Sequence, residues 1–103
     1  MPIKFEVRFT RSAKKDVEEL LNHIAKDNPE RAKRFISQLE QQIQTLELFP
    51  KRCPLIPENE VLDQKYRHFI QGKYRTIFRI DQETVYITRV IHGARLLEIS
   101  TLH

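Results

Sequence analysis

The stretch KYRTIFRIDQETVYITRVIHGAR, from Lys73 to Arg95, decides how this chain folds. Branched and aromatic residues dominate both sides of its polar centre, a pattern that predicts two β-strands joined by a tight turn. The stretch also carries four arginines and a histidine. Because a strand holds successive side chains on opposite faces, these positive groups are fixed in direction. The hairpin therefore predicts a sheet that presents positive charge to an anionic partner.

A turn centred on Gln82-Glu83 predicts which residues of the hairpin face each other. Ile80 then pairs with Val85, Phe78 with Ile87, Thr76 with Arg89 and Tyr74 with Ile91. The predicted core face holds Tyr74, Phe78, Ile80, Val85, Ile87 and Ile91, and Arg89 lies at its margin. Arg75, Arg79, Tyr86 and His92 are expected together on the opposite face.

The N-terminal half predicts one strand and two helices. Residues Ile3 to Phe9 alternate as a half-buried strand, and Thr10 or Ser12 can cap an amphipathic helix that runs to about Lys26. Asn28 followed by Pro29 is typical of a second helix start. This helix should end near Phe49-Pro50 and lie antiparallel to the first.

The C-terminal half predicts a loop and an antiparallel meander. Pro50 to Asp63 is interpreted as a stiff connector in preference to a binding flap. Tyr66 to Ile70 is a short strand before the hairpin, and Leu96 to Leu102 is a last short strand or a tail. The prediction is one α+β domain over residues 1–103, ordered β-α-α-β-β-β, with an antiparallel helix hairpin packed on a small, mostly antiparallel sheet.

Positive charge is concentrated in the C-terminal part of the chain. Residues 1–64 hold eleven basic and eleven acidic residues, whereas residues 65–103 hold seven basic and three acidic ones. The second part therefore accounts for the whole net charge of +4. This segregation favours nucleic acid or an acidic protein as the partner.

Several classes of protein are disfavoured by what the sequence lacks. Its one cysteine, Cys53, cannot form an internal disulfide, and no apolar run reaches the length of a membrane span. Metal-ligand spacing and a glycine-rich phosphate loop are both missing, so neither a metal nor a cofactor is expected. A cytoplasmic protein without a membrane partner is the resulting expectation.

The candidate site residues are basic or aromatic. Arg67, Arg75, Arg79 and Arg95 could clamp phosphates or the acidic groups of a partner, and Tyr86 could stack on a base. His92 could serve as a general acid or base. A strand-end histidine bonded to backbone explains His92 equally well, and both interpretations stay open.

The order of these elements and motifs resembles the RelE/ParE superfamily, the small basic toxins of bacterial type II toxin–antitoxin modules. The resemblance covers nearly the whole chain and is strongest at Tyr74-Arg75, Phe78-Arg79 and the run from His92 to Arg95. It implies two possible activities. RelE-like members cleave mRNA in the ribosomal A site without a metal, whereas ParE-like members bind DNA gyrase and trap it on cleaved DNA.

The details of the resemblance favour a ParE-like member. The segment Tyr66-Arg67-His68 replaces the two lysines of RelE, and Leu96 to His103 lacks the C-terminal tyrosine. The first hypothesis is thus a gyrase-binding toxin. The alternative is a ribosome-dependent ribonuclease that would use Arg75, His92 and Arg95 as its catalytic residues, and a third is a non-toxic RNA- or protein-binding module.

The resemblance also implies a cognate antitoxin as partner. Because the chain is basic, an acidic, amphipathic antitoxin segment is expected to cover either the arginine-bearing side or the groove beside the helix pair.

Overall fold

The computed structural model describes residues 4–57 and 65–93 and confirms the predicted α+β fold and the order β-α-α-β-β-β. The elements are β1 (Glu6–Phe9), α1 (Arg11–Asp27), α2 (Pro29–Leu48), a 3₁₀ turn (Pro50–Arg52), β2 (Tyr66–Gln71), β3 (Tyr74–Asp81) and β4 (Thr84–His92). The possible last strand, Leu96 to Leu102, lies outside the described residues.

Local side-chain caps start both helices where the sequence predicts. The Thr10 hydroxyl accepts a hydrogen bond from the Ala13 amide, 3.2 Å away, at the start of α1. The Asn28 carboxamide accepts from the amides of Glu30 and Arg31 and lets α2 begin at Pro29. These caps satisfy amides that have no partner within the helix, so they separate two helices joined by a single residue.

The sheet has the strand order β1-β4-β3-β2. Strands β2, β3 and β4 form the predicted antiparallel meander, while β1 lies parallel to β4 at one edge. The tight turn falls at the predicted place, with Asp81 opposite Thr84. Because the turn contains no glycine, Gln82 itself takes the left-handed conformation, with a φ of 55°.

A β-bulge at Thr88 makes the predicted register wrong over the second half of the hairpin. Phe78 faces Ile87 as predicted, but Ile77 then faces Arg89, so Thr88 is the extra residue of β4. Beyond the bulge Thr76 pairs with Val90 and Tyr74 with His92. The last residues of β4 therefore point to the faces opposite to those expected.

Apolar residues pack on both faces of the sheet. The larger core lies between the sheet and the helices and includes Leu46, Phe78 and Ile87, which are almost inaccessible to solvent. A smaller cluster of Ile56, Tyr66, Ile77 and Ile91 lies on the other face, here called the outer face. The bulge explains why Val90 belongs to the helix-side core and Ile91 to the outer cluster.

The described part of the loop after α2 packs against the edge of the sheet. The Ile56 amide donates to the Tyr66 carbonyl at 3.0 Å, and the His68 amide donates to the Pro54 carbonyl at 3.1 Å. Ile56 is also 2% exposed. These contacts agree with a connector that covers part of the β2 edge; the rest of the segment, residues 58–63, lies outside the described residues.

Candidate interaction surfaces

Arginine and tyrosine alternate in a row that crosses all four strands on the outer face. Arg8 of β1 faces Tyr86 of β4, Tyr86 faces Arg79 of β3, and Arg79 faces Tyr66 of β2. Directly opposed residues on neighbouring strands share a face and lie in contact. The guanidinium carbon of Arg79 is 4.4 Å from the centre of the Tyr86 ring, a cation–π contact. These four residues are called the arginine–tyrosine row.

Carboxylates accompany both arginines of the row. Nε of Arg8 is 2.8 Å from Oε1 of Glu6, and Nη1 of Arg79 is 3.8 Å from Oδ2 of Asp81. The hydrogen bond to Glu6, followed by the charge of that carboxylate, raises the pKa of Arg8 above its ordinary value. The positive charge of the row is thus already offset by its neighbours.

Arg75 shares the outer face with Arg79, as expected for residues four apart on one strand. It is only 8% exposed and is flanked across the strands by Ile70 and Ile91. A guanidinium in this position has little surface with which to reach a phosphate. Of the two arginines predicted to share this face, Arg79 is partly accessible and Arg75 is buried.

His92 lies away from these arginines, and the predicted grouping is wrong for this residue. Its ring makes an edge contact with the Tyr74 ring, the centroids 5.8 Å apart, and Tyr74 in turn contacts Phe35 of α2 at 5.2 Å. His92 is thus on the helix side of the sheet. The reason is the bulge at Thr88, which reverses the faces of all later residues of β4.

A nearly buried ion pair holds the bulged part of β4 against α1. Oδ2 of Asp16 is 2.6 Å from Nε of Arg89, and Oδ1 is 3.0 Å from Nη2. The same carboxylate accepts a hydrogen bond from the Val90 amide at 3.0 Å. Asp16 of α1 therefore fixes the strand that carries His92.

Arg67 supports the loop and does not join the arginine–tyrosine row. Its Nη1 donates to the Cys53 carbonyl at 2.6 Å and lies 3.4 Å from the Lys51 carbonyl. Since Arg67 faces Phe78, it belongs to the side of the sheet opposite Arg79. Arg95, the remaining predicted arginine, lies outside the described residues.

A second surface is a groove between the helix pair and the end of the sheet. One hollow of about 390 Å³, the histidine groove, is lined by Leu20, His23, Ile24, Asp27, Arg31, Lys73, Tyr74 and His92. An adjoining hollow of about 280 Å³, the glutamine hollow, shares four of these residues and adds Arg34, Phe35, Gln38, Gln71 and Gly72. Together they form a trough with an apolar floor and a basic rim.

The rim cations differ from those of the arginine–tyrosine row. Within residues 4–57 and 65–93, no carboxylate lies within ion-pair distance of Arg31, Arg34 or Lys73. Their charge is therefore available to an incoming group. The sequence indicated a groove beside the helix pair but not the residues that line it, because these come from both helices, the strands and the β2–β3 turn, and nothing in their local patterns links them.

The described residues offer little for metal or thiol chemistry. Among them no group of three or more histidine, cysteine or acidic side chains could hold a metal ion. Burial raises the pKa of the Cys53 thiol, and the nearby Arg67 charge only partly opposes that effect. No helix among them is both long and apolar enough to cross a bilayer.

Solved structures of toxin–antitoxin systems have the same fold. A chain of the chromosomal ParDE system from P. aeruginosa superposes with a TM-score of 0.68 at 17% identity, covering 86% of this chain and 96% of that one. A chain of the RelBE2 toxin–antitoxin complex from Mycobacterium tuberculosis gives 0.57 at 28% identity, covering 87% and 99%. A chain of the archaeal RelE-RelB complex from Pyrococcus horikoshii gives 0.56 at 16% identity, covering 90% and 99%.

The fold and the match to a family profile together place the chain in the RelE/ParE superfamily. The profile described as "ParE toxin of type II toxin-antitoxin system, parDE" matches residues 7–97, and the chain belongs to that family. No curated protein matches the sequence.

Proposed function

We propose that this toxin acts by binding DNA gyrase, without bond chemistry of its own, and that a cognate antitoxin neutralises it. One observation carries the choice of mechanism: the described candidate nuclease residues are split between the two sides of the sheet. Arg75 is buried on the outer face, while His92 lies on the helix side against Tyr74.

This separation matters because proton transfer and phosphate stabilisation must act on the same reacting group. A general acid or base needs hydrogen-bond reach of its proton, about 3 Å. A phosphate held by Arg75 would lie across the sheet from His92. We therefore infer that the chain shares the family's fold without the RelE-type reaction, because the positions of Arg75 and His92 favour binding over catalysis.

The arginine–tyrosine row has the character of a protein-binding surface. Arginine and tyrosine are enriched among the residues that dominate protein–protein affinity. Glu6 and Asp81 beside the row would repel a bare phosphate but suit a partner of mixed charge. We therefore assign the gyrase contact to the outer face, with Arg79 and Tyr86 at its centre. Gyrase acts in the cytoplasm, which is where the proposal locates the toxin.

A supercoiling assay tests the proposal. Purified chain should inhibit gyrase, and Arg79→Ala together with Tyr86→Ala should weaken inhibition at least about tenfold, the effect of losing about 1.4 kcal/mol of binding. Arg11→Ala, an exposed arginine at the start of α1, is the matched control. Unchanged supercoiling at high excess of toxin would refute gyrase as target, and unaffected growth after induced expression would indicate a non-toxic binding module.

The ribonuclease alternative remains because of the histidine groove. It gathers His92, His23, Lys73 and Arg31, side chains that can move protons and stabilise a phosphate. Codon-specific mRNA cleavage on translating ribosomes, lost in His92→Ala and kept in Arg79→Ala, would establish this activity. Cleavage that is kept in His92→Ala and lost in Arg79→Ala would exclude the groove as a catalytic site.

The proposal of an antitoxin partner is supported by the similar structures, since two of them are complexes of a toxin with its antitoxin. The superposed chains from M. tuberculosis and P. horikoshii come from toxin–antitoxin complexes. An antitoxin for this chain would be the product of an adjoining reading frame, and its co-purification with the toxin checks that proposal.

A further inference from the structure

We propose that two copies of this chain pair through the open edge of β1 and form a symmetric dimer. The partner is a second copy of the same chain, and the contact is an antiparallel pairing of β1 with its own equivalent. The inference goes beyond the proposed function, because the pairing requires neither gyrase nor an antitoxin.

The backbone of β1 leaves hydrogen-bonding groups on its outer side. This strand is at the end of the order β1-β4-β3-β2. The amides of Glu6 and Thr10 donate toward β4 and the turn before it, so backbone alternation directs the amides and carbonyls of Val7 and Phe9 outward. Within residues 4–57 and 65–93, no other backbone group bonds to these outward groups. The edge can therefore accept another strand.

The side chains of β1 are complementary to themselves. The run Phe5-Glu6-Val7-Arg8-Phe9 alternates apolar residues with one acidic and one basic residue, placed symmetrically about Val7. An antiparallel pair centred on Val7 sets Glu6 of each copy opposite Arg8 of the other, and apolar residues opposite apolar residues. A two-fold interface needs such a surface, because one patch must bind its own copy. Opposite charges that face each other directly stabilise a strand pair.

The two charged groups are accessible to a second copy. The side chains of Arg8 and Glu6 are 61% and 59% exposed. Arg8 uses Nε for the Glu6 of its own chain and makes no further hydrogen bond among the described residues. Its two Nη groups remain as donors for Glu6 of the second copy. Each carboxylate would then lie between two guanidinium groups, in a network of four charges.

The opposite edge of the sheet is unsuited to the same contact. Loop residues 54–56 already bond to part of the β2 edge. The charged residues on β2 and in the two positions beyond each of its ends are Lys65, Arg67 and Lys73, all of them positive. Two such edges would repel each other, because like charges on facing strands are destabilising. Charge complementarity therefore selects β1.

Apolar surface lies beside the β1 edge. The Phe5 amide donates to the Glu47 carbonyl at 2.7 Å, which brings the end of α2 to the start of this strand. Leu48 and Phe49, the next residues of the chain, are 47% and 45% exposed. Two paired strands are only marginally stable in water without further burial. These side chains are available to extend the contact between the copies.

The pairing would join two four-stranded sheets into one. Arg8 is the β1 member of the arginine–tyrosine row, so the rows of the two copies would meet on one continuous outer face. Two sets of Arg79 and Tyr86 would then be presented together, and a target could engage both at once. This consequence alone rests on the proposed function.

Analytical ultracentrifugation of the full chain tests the dimer. The mass of the wild-type chain should rise toward that of two chains as its concentration increases. Glu6→Lys and Arg8→Glu should each weaken dimerisation at least about tenfold, or about 1.4 kcal/mol, because each change sets two pairs of like charges face to face. The control exchanges an exposed pair on α2, Glu30→Lys with Lys33→Glu, and should leave dimerisation within about twofold.

A mixture of the two variants tests the register. In a mixed dimer of Glu6→Lys with Arg8→Glu, each position 6 again faces an opposite charge at position 8. The equimolar mixture should therefore dimerise where neither variant does so alone, and circular dichroism should show both variants folded. A wild-type chain that stays monomeric, a variant that dimerises normally, or a mixture that stays monomeric would overturn the proposal. Because no gyrase is present, the supercoiling assay is an independent result.

Discussion

Breaking the Asp16–Arg89 pair is expected to be among the most damaging single changes in this protein. The side chains of Arg89 and Asp16 are only 12% and 11% exposed, and the carboxylate accepts three hydrogen bonds. In Asp16→Ala the nearly buried Arg89 guanidinium loses the Asp16 carboxylate, and the Val90 amide loses its hydrogen bond to the same group. Removing one member of a buried pair costs about 3–5 kcal/mol, a large part of the ~5–15 kcal/mol that stabilises a typical domain.

Urea unfolding followed by circular dichroism measures this cost. Lys33→Ala is the control, because the Lys33–Glu30 pair has side chains 77% and 76% exposed and should contribute at most about 0.5 kcal/mol. The double change Asp16→Leu with Arg89→Met should cost clearly less than the sum of the single changes, since it leaves no charge buried. An Asp16→Ala cost below about 1 kcal/mol, or one equal to that of Lys33→Ala, would refute the reasoning.

Three further outcomes are expected. Gln82→Gly should raise the free energy of unfolding by about 0.5–1 kcal/mol, because Gln82 has a φ of 55°; no shift in the urea midpoint would contradict this. Arg67→Met should destabilise the chain by about 1–2 kcal/mol through the lost bonds to the carbonyls of residues 51 and 53, which thermal unfolding measures. Burial raises the pKa of the Cys53 thiol. The unfolded chain therefore loses this proton first, so stability should be constant below the ordinary thiol pKa and fall as pH rises through the raised value. Cys53→Ser should remove that alkaline slope in unfolding measured against pH.

The sequence by itself determined the features that depend on near neighbours. Thr10, Asn28 and Pro29 set the helix boundaries because a cap acts within three residues. The position of the turn at Gln82-Glu83 could be predicted because a polar segment separates two runs of branched and aromatic residues. Arg75 and Arg79 share a face because strand periodicity requires it.

Only the tertiary structure decided what those side chains can reach. The Thr88 hydroxyl donates to the Ile77 carbonyl, the Thr10 hydroxyl donates to the Thr88 carbonyl, and Asp16 holds Arg89 and Val90. These contacts join residues 11 to 78 positions apart, and a bulge that depends on them has no local signal. By moving His92 to the helix side, they separate it from the arginines and place it at the groove.

The accessibility of the arginines was likewise a tertiary outcome. Segregated charge in residues 65–103 indicated a basic partner-binding half. It did not show that Arg75 would be buried between Ile70 and Ile91, or that Arg79 would lie beside Asp81. Charge is counted along the chain, but burial and pairing depend on which strands and helices meet. Composition alone likewise does not reveal that Arg31, Arg34 and Lys73 at the groove have no carboxylate within ion-pair distance among the described residues.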